Sequence, residues 1–207
     1  VNKLYLYGNP ISNVNIYNEL GQLTKKEIKT NLKTLTNNYT YTKTRLYQET
    51  ILGTPFRYQY DNMGNVTNIL TRLNATTFRS KIGYTYDGLG RLIKENDLTY
   101  TTTYTYDSNG NIQTIKKTRN LLKAQVVFEK KFNYNETYKD RLESVEYIQG
   151  TGETITLSYD EKKLYPKSIW YSTLTSPYEI EYENGRIKSY RGNTFTYDID
   201  GGQEVRK

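Results

Sequence analysis

The chain contains no cysteine and no histidine among its 207 residues. Their absence excludes disulfides, zinc fingers, imidazole metal sites and Cys–His or Ser–His catalytic pairs. Proline occurs four times, and methionine and tryptophan once each. Apolar residues make up only 35% of the chain, at a mean hydropathy of −0.83, so a compact Leu/Val core is not expected. No stretch approaches the roughly 18 consecutive apolar residues of a spanning helix, and the start lacks a basic n-region followed by an apolar h-region. Neither a membrane span nor a signal peptide is therefore read from these residues. The chain starts and stops in mid-pattern, which we read as a piece of a longer protein.

What the chain does have is 23 tyrosines and many threonines. Tyrosine buries a large ring while keeping a hydroxyl for hydrogen bonding, and threonine is β-branched. Both favour strands and argue against disorder. A formal charge of +7 and a pI near 9.2 admit contact with nucleic acid, anionic lipid or a wall polymer. The basic residues, however, are scattered in pairs such as Lys25-Lys26, Lys116-Lys117, Lys130-Lys131 and Lys162-Lys163. That distribution solubilises strand faces and discourages edge pairing, and it does not form the cluster expected of a nucleic-acid binder.

The stretch Tyr84-Thr85-Tyr86-Asp87-Gly88-Leu89-Gly90-Arg91-Leu92-Ile93 reads as a hairpin. Asp87 starts a type I turn in which its side chain accepts a backbone N–H two residues on, and Gly90 supplies the left-handed conformation of a G1 bulge. With Asp87 paired to Arg91, Tyr86 falls opposite Leu92 and Tyr84 opposite Lys94. Thr85 and Ile93 then take the other face. The pattern returns as Tyr104, Tyr106, Asp107, Gly110 and Ile112, and occurs earlier as Tyr58, Tyr60, Asp61, Gly64 and Val66. Weaker copies run from Tyr17 through Gly21 to Leu23 and from Tyr182 through Gly185 to Ile187, the latter with a shorter turn. Tyr134-Asn135 leads to Arg141-Leu142 without glycine, Tyr159-Asp160 leads to Pro166, and Phe195 to Gly201 restores the turn.

Tyr-Asp-x-x-Gly-Arg/Asn-Leu/Val/Ile in imperfect tandem resembles the YD repeat of the RHS (rearrangement hot spot) family, shared with teneurins. The resemblance covers about Tyr17 to Gly201. It implies an all-β fold of consecutive antiparallel β-hairpins forming a long curved, open sheet, part of a YD-repeat shell, with residues 1–207 a single segment. In that family a strip of hairpins spirals into a hollow shell around a C-terminal toxin or, in teneurins, an internal linker. An aspartyl autoprotease in the core region releases the cargo in many bacterial members. No Asp-Pro-x-Gly signature occurs here, so neither protease nor toxin is assigned to these residues. Roughly sixteen strands at about 4.8 Å give about 80 Å of sheet. Wrapping a cargo of about 270 residues, with a radius of gyration of roughly 18 Å, needs a circumference on the order of 190 Å. The segment can be a section of wall and not a closed container.

Two functional readings follow from the resemblance. One is a structural shell segment of a secreted or surface-displayed bacterial toxin, whose partners are the other repeats and the enclosed cargo of the same polypeptide. The other is a cell-surface adhesion module that recognises carbohydrate, wall polymer or protein through its tyrosine-rich sheet. Neither calls for a cofactor, a metal or a catalytic residue. Asp61, Asp87 and Asp107 stand where aspartate nucleates a turn, and carboxylates at successive turns line an edge without converging. Asp198, Asp200 and the nearby glycines lack the alternating ligands and distal glutamate of an EF-hand. Asn-x-Thr triplets, such as the one at Asn65, arise by chance in a chain this rich in Asn and Thr.

Three stretches are less regular. Leu4 to Tyr7, Gly8-Asn9-Pro10 and Val14 to Tyr17 read as strand, turn, strand. Between Leu23 and Thr36, helical spacing of Ile28, Leu32 and Leu35 competes with the need for a partner strand after Gly21, and we favour strands. Gly53-Thr54-Pro55 reads as a break. Asn120 to Phe132 is either a strand buried on both faces or a short helix over Leu121 to Gln125 leading into a strand. Trp170 is expected to fill a core or cap a sheet end, ahead of serving as a ligand platform.

Overall fold

The computed structural model describes residues 4–6, 9–30, 33–161, 163–197 and 203–206, and every regular element among them is a β-strand. The chain divides into two compact units, Val1–Thr99 and Tyr100–Lys207. The first holds β1 (Leu4–Leu6), β2 (Asn9–Tyr17), β3 (Leu23–Lys29), β4 (Thr34–Thr42), β5 (Arg45–Ile51), β6 (Thr54–Tyr60), β7 (Val66–Arg72), β8 (Phe78–Tyr86) and β9 (Leu92–Asp97). The second holds β10 (Tyr100–Tyr106), β11 (Ile112–Arg119), β12 (Gln125–Tyr134), β13 (Leu142–Gln149), β14 (Ile155–Ser158), β15 (Ser168–Tyr171), β16 (Tyr178–Glu183), β17 (Arg186–Tyr190), β18 (Asn193–Tyr197) and β19 (Gln203–Arg206). Within each unit every strand pairs antiparallel with the next in sequence, and among the described residues no second layer covers the sheet. The all-β hairpin architecture read from the repeat is the one observed.

A single layer buries little. The buried apolar residues among the described positions are Val145 and Ile180, each 8% exposed, and Pro55. Cohesion therefore rests on ladder hydrogen bonds and on half-buried rings. Tyr58, Tyr60, Tyr84, Tyr86, Tyr104 and Tyr106 are all half-buried, whereas Gln59, Thr85 and Thr105 between them are exposed. Alternation of this kind is what a strand with one better-covered face produces.

The register holds at the turn and shifts two residues beyond it. Tyr60 faces Val66, Tyr86 faces Leu92 and Tyr106 faces Ile112, as the loop length dictates. Tyr84, however, stands opposite Glu95 and not Lys94, because a β-bulge between Thr85 and Tyr86 leaves Ile93 as an extra residue. The bulge puts Lys94 opposite Thr85 on the exposed face, so Ile93 does not pair with Thr85 and is half-buried. Thr67 and Gln113 are extra residues at the corresponding places in β6–β7 and β10–β11, and the same shift recurs in β2–β3, β4–β5, β12–β13, β16–β17 and β18–β19. A bulge has no residue signature as strong as a turn glycine, which is why the sequence did not show it.

The irregular stretches resolve as follows. Residues 23–36 supply β3 and β4 and no helix. Asn9 and Pro10 belong to β2, with Pro10 opposite Tyr5; Gly8 lies outside the described residues. Gly53 sits in a two-residue hairpin turn with Leu52, both at positive φ, and Pro55 is already in β6, so the chain is not broken there. Residues 120–124 form the exposed connection before β12, with Leu121 57% and Leu122 113% exposed, so neither a helix nor a strand buried on both faces occurs. The described strands number nineteen where roughly sixteen were expected. The turn expected over Asp198 to Gly201 lies outside the described residues.

Candidate functional site

The repeat residues build a junction with two parts, a self-contained turn and a tyrosine that ties consecutive hairpins together. In the turn, the Asp87 N–H donates to the Arg91 carbonyl (2.9 Å) and the Gly90 N–H to the Asp87 carbonyl (3.0 Å). Asp87 Oδ1 accepts the N–H groups of Leu89 (3.0 Å) and Arg91 (2.9 Å), and Oδ2 takes Arg91 Nε at 2.7 Å. Asp107 repeats this with Asn109, Asn111 and the Asn111 side-chain amide, and Asp61 with the backbone and side chain of Asn65. Gly64, Gly90 and Gly110 hold φ of 97°, 77° and 92°. In the weaker copy Asn18 keeps the acceptor role toward Leu20 and Gln22, and its amide donates to the Gln22 side chain.

These bonds hold the aspartates in the charged form. Asp61 is held below the usual carboxylate range by the Asn65 side-chain amide and by backbone N–H groups, and Asp87 by the backbone N–H and guanidinium of Arg91. At Asp107 partial desolvation pushes upward, but hydrogen bonds from Asn111 and Asn109 outweigh it. A carboxylate committed to several local donors is a turn device.

The second part was not legible in the sequence. Tyr86 Oη donates to the Val66 carbonyl (2.8 Å), and Tyr60 Oη to that of Leu46 (2.7 Å). Tyr41, Tyr159 and Tyr197 do the same to Leu23 (2.9 Å), Leu142 (2.6 Å) and Ile187 (2.8 Å). One rule covers all five. The ladder between two hairpins ends at a pair such as Asn68–Gly83, and the tyrosine three residues after Gly83 reaches the carbonyl two residues before Asn68. The end pairs for the others are Lys25–Asn38, Gln48–Arg57, Ser144–Thr156 and Ser189–Thr194. Each hydroxyl thus satisfies a carbonyl where the ladder stops.

The remaining repeat tyrosines are placed by pairing. Tyr58 faces Ile69 and its hydroxyl meets the Glu49 carboxylate; desolvation first and that carboxylate second push its phenol well above the ordinary range. Tyr104 faces Ile115. Tyr60 and Tyr86 are also raised, mainly by desolvation.

Arg141 was not singled out by sequence reasoning. It occupies the position of Arg91, since the Asn135 N–H donates to its carbonyl (2.9 Å), but the loop before it is longer. Arg141 is only 8% exposed, with its guanidinium 4.2 Å from the Tyr138 ring centroid and 4.8 Å from that of Tyr159. It donates through Nη2 to the Lys163 carbonyl, and its Nε is buried without a hydrogen-bond partner. Its signal was the Arg-Leu pair after Tyr134-Asn135. Trp170 is 44% exposed and donates through Nε1 to the Leu174 carbonyl (3.0 Å), so it does not fill a core. Among the described residues no group of three or more Asp or Glu side chains could hold a metal ion, and no helix is long and apolar enough to cross a membrane.

A turn, a bulge and a tyrosine tie that recur from hairpin to hairpin define a β-hairpin repeat protein. The sequence model of the teneurin YD-shell family matches residues 5–131, more than half of the chain, and the chain belongs to that family. No curated protein matches it. Among solved structures, a crystal structure of TcdB2-TccC3-TEV is similar with a TM-score of 0.64 at 14% identity, over 87% of this chain and 12% of that one. A crystal structure of TcdB2-TccC3 gives 0.62 at 11% identity, over 91% of this chain and 14% of that one. The Photorhabdus luminescens Tc holotoxin pore, with a substitution in TccC3, gives 0.57 at 13% identity, over 89% of this chain and 13% of that one. At these identities the likeness is one of fold, and the chain spans only 12–14% of the length of those chains.

Proposed function

We propose that the chain is one continuous segment of the wall of a YD-repeat shell, in a secreted or surface-displayed bacterial toxin of the RHS type. The wall helps to enclose a C-terminal cargo of the same polypeptide. The observation that carries this reading is the repetition of the tyrosine tie. The same hydroxyl-to-carbonyl bond recurs from one hairpin junction to another, and a feature repeated along a strip is architectural. Structural roles are accordingly assigned to Tyr58, Tyr60, Asp61, Gly64, Val66, Tyr84, Tyr86, Asp87, Gly90, Leu92, Tyr104, Tyr106, Asp107, Gly110 and Ile112. In this reading the chain has no catalysis of its own. It lacks histidine and cysteine, and the carboxylates of Asp61, Asp87 and Asp107 are committed to their own turns. The similarity to Tc toxin structures supports the toxin context.

The test is limited proteolysis of the full-length polypeptide. A segment downstream of the repeats should resist protease while the shell is intact and become sensitive once Tyr60, Tyr86 and Tyr159 are all changed to Phe. A downstream segment equally sensitive before and after would refute enclosure. Hydrolysis of a substrate by the purified chain, abolished by one carboxylate substitution that leaves the fold intact, would refute the non-enzymatic reading.

A further inference from the structure

One junction of the strip departs from the tyrosine tie. The ladder between β15 and β16 ends at Ser168–Glu179, so the rule that places Tyr86 would bring Tyr182, three residues after Glu179, to the Pro166 carbonyl. Among the described residues Tyr182 makes no such bond. Its ring lies on that of Tyr165, the residue before Pro166, with centroids 4.4 Å apart and planes inclined at 43°. Two other tyrosine pairs of the second unit, Tyr171–Tyr178 and Tyr178–Tyr190, stand 6.2 and 6.1 Å apart with planes at 71° and 73°. In those pairs the edge of one ring meets the face of the other. Tyr165 and Tyr182 meet carbon against carbon.

The backbone on each side of this contact is held. Arg141 holds the Lys163 carbonyl, two residues before Tyr165. The Lys167 N–H, two residues after Tyr165, donates to the Ser158 carbonyl (2.8 Å). The Lys167 carbonyl accepts the N–H of Ile180 (2.7 Å), two residues before Tyr182. The rings are therefore in position before any reaction between them. They are also accessible: Tyr165 is 39% exposed, and both rings line a cavity of about 460 Å³.

A phenol that gives one electron and one proton to an oxidant becomes a phenoxyl radical, with spin on the ring carbons next to the oxygen. Two such radicals in contact join those carbons, and the hydrogens displaced from the ring carbons move to the oxygens, restoring both phenols. With a haem peroxidase as the one-electron oxidant, two phenols and one hydrogen peroxide give one dityrosine and two waters. We propose that Tyr165 and Tyr182 are an oxidative cross-linking site, where a dityrosine staples the β14–β15 connection to β16. The chain has no cysteine with which to form a disulfide there. Closing the loop between Tyr165 and Tyr182 would restrict the unfolded chain as a disulfide does. The proposal is independent of the shell reading, since neither ring takes part in a tie.

Treatment of the full 207-residue chain, at high dilution, with a haem peroxidase and hydrogen peroxide tests it. The expected product is a monomer lighter by two hydrogens, with dityrosine fluorescence and a proteolytic map that joins the peptides of Tyr165 and Tyr182. Its thermal midpoint should exceed that of the untreated chain. Tyr165→Phe and Tyr182→Phe should each lower the yield of cross-linked monomer roughly tenfold, the advantage of a positioned pair over chance encounter. Tyr178→Phe removes the ring shared by the two wider pairs and should leave the yield unchanged. If one of the first two variants does not fold, the other carries the test. Absence of cross-linked monomer, coupling only between chains, or a yield that Tyr165→Phe and Tyr182→Phe leave intact would overturn the proposal. So would loss of the product in Tyr178→Phe.

Discussion

In β6–β9 each repeat aspartate turns both carboxylate oxygens onto its own loop, and Tyr60 and Tyr86 each close a tie to the preceding hairpin. Between Tyr134 and Tyr190 the tie survives at Tyr159, but the turn positions and Tyr182 are occupied differently. Asn135 bonds Thr137 and Tyr138 in a longer loop, Asp160 faces two lysines, and Tyr182 stacks on Tyr165. Only in this second region do buried polar side chains occur among the described residues, Arg141 and Ser168. The contrast shows what each part of the motif is for. With the glycine turn present, the junction is local and self-sufficient. Once the turn is lost, a buried arginine and an aromatic pair hold the loops.

The sharpest way to break this contrast is to remove the arginine from each region. Arg141→Ala should destabilise the fold by roughly 2–4 kcal/mol, because it empties a filled space between two rings and frees the Lys163 carbonyl. Arg91→Ala, at the same repeat position but part-exposed on Asp87, should cost less than about 1 kcal/mol. Urea midpoints that fall equally for both would dissolve the distinction. Arg141→Met should lie closer to the parent, since it fills the space and removes the unpartnered Nε.

Next in size is the turn. A Cβ at Gly90 would find its nearest neighbours, Asn65 and Met63, at 3.9 Å, so space is not the obstacle. The cost is the left-handed backbone, about 1–2 kcal/mol for Gly90→Ala and more for the β-branched Gly90→Val. An unchanged denaturation midpoint in Gly90→Val would mean the turn does not need positive φ. Smaller again is the tie. Tyr86→Phe should lose about 1 kcal/mol with its bond to Val66, whereas Tyr182→Phe, which makes no such bond among the described residues, should be near neutral. Equal losses would show that the hydroxyl is not the operative group.

The smallest effect is on pH dependence. Asp61, Asp87 and Asp107 have depressed folded-state values, so the stability they add is present above the ordinary carboxylate value of 3.8 and is lost as pH falls below it through those folded values. Acid titration of the thermal midpoint should show this loss. Asp87→Asn should flatten the curve while changing neutral stability little, because Asn18 already performs the role in the first hairpin. A steeper acid transition in Asp87→Asn would contradict the assignment.

Local chemistry explains why the turns were legible. Asp87, Gly90 and Arg91 lie within five residues and interact mainly with one another, so turn, loop length and the Tyr86–Leu92 pairing followed from residue types alone. Even the shorter turn at Tyr182 followed, since Asn184 and Gly185 both hold positive φ. The placement of Lys94 failed because a β-bulge follows directly on the turn pairing and leaves Ile93 extra, and nothing in the residue type at Ile93 announces it. The core expected for Trp170 is missing because a single-layer sheet offers a large side chain none, and its strand β15 lies between β14 and β16 and not at a sheet end.

A run of antiparallel hairpins with aspartate-nucleated turns and a tyrosine face is written into the order of the residues, because contacts a few positions apart are enough to set each of those features. Packing between hairpins settled the rest: which carbonyl each tyrosine ties, that Arg141 is buried where Arg91 is not, and that Tyr182 stacks on Tyr165. The ties rest on where each ladder between hairpins stops. That end point arises when two strands are laid side by side and cannot be read from either strand alone.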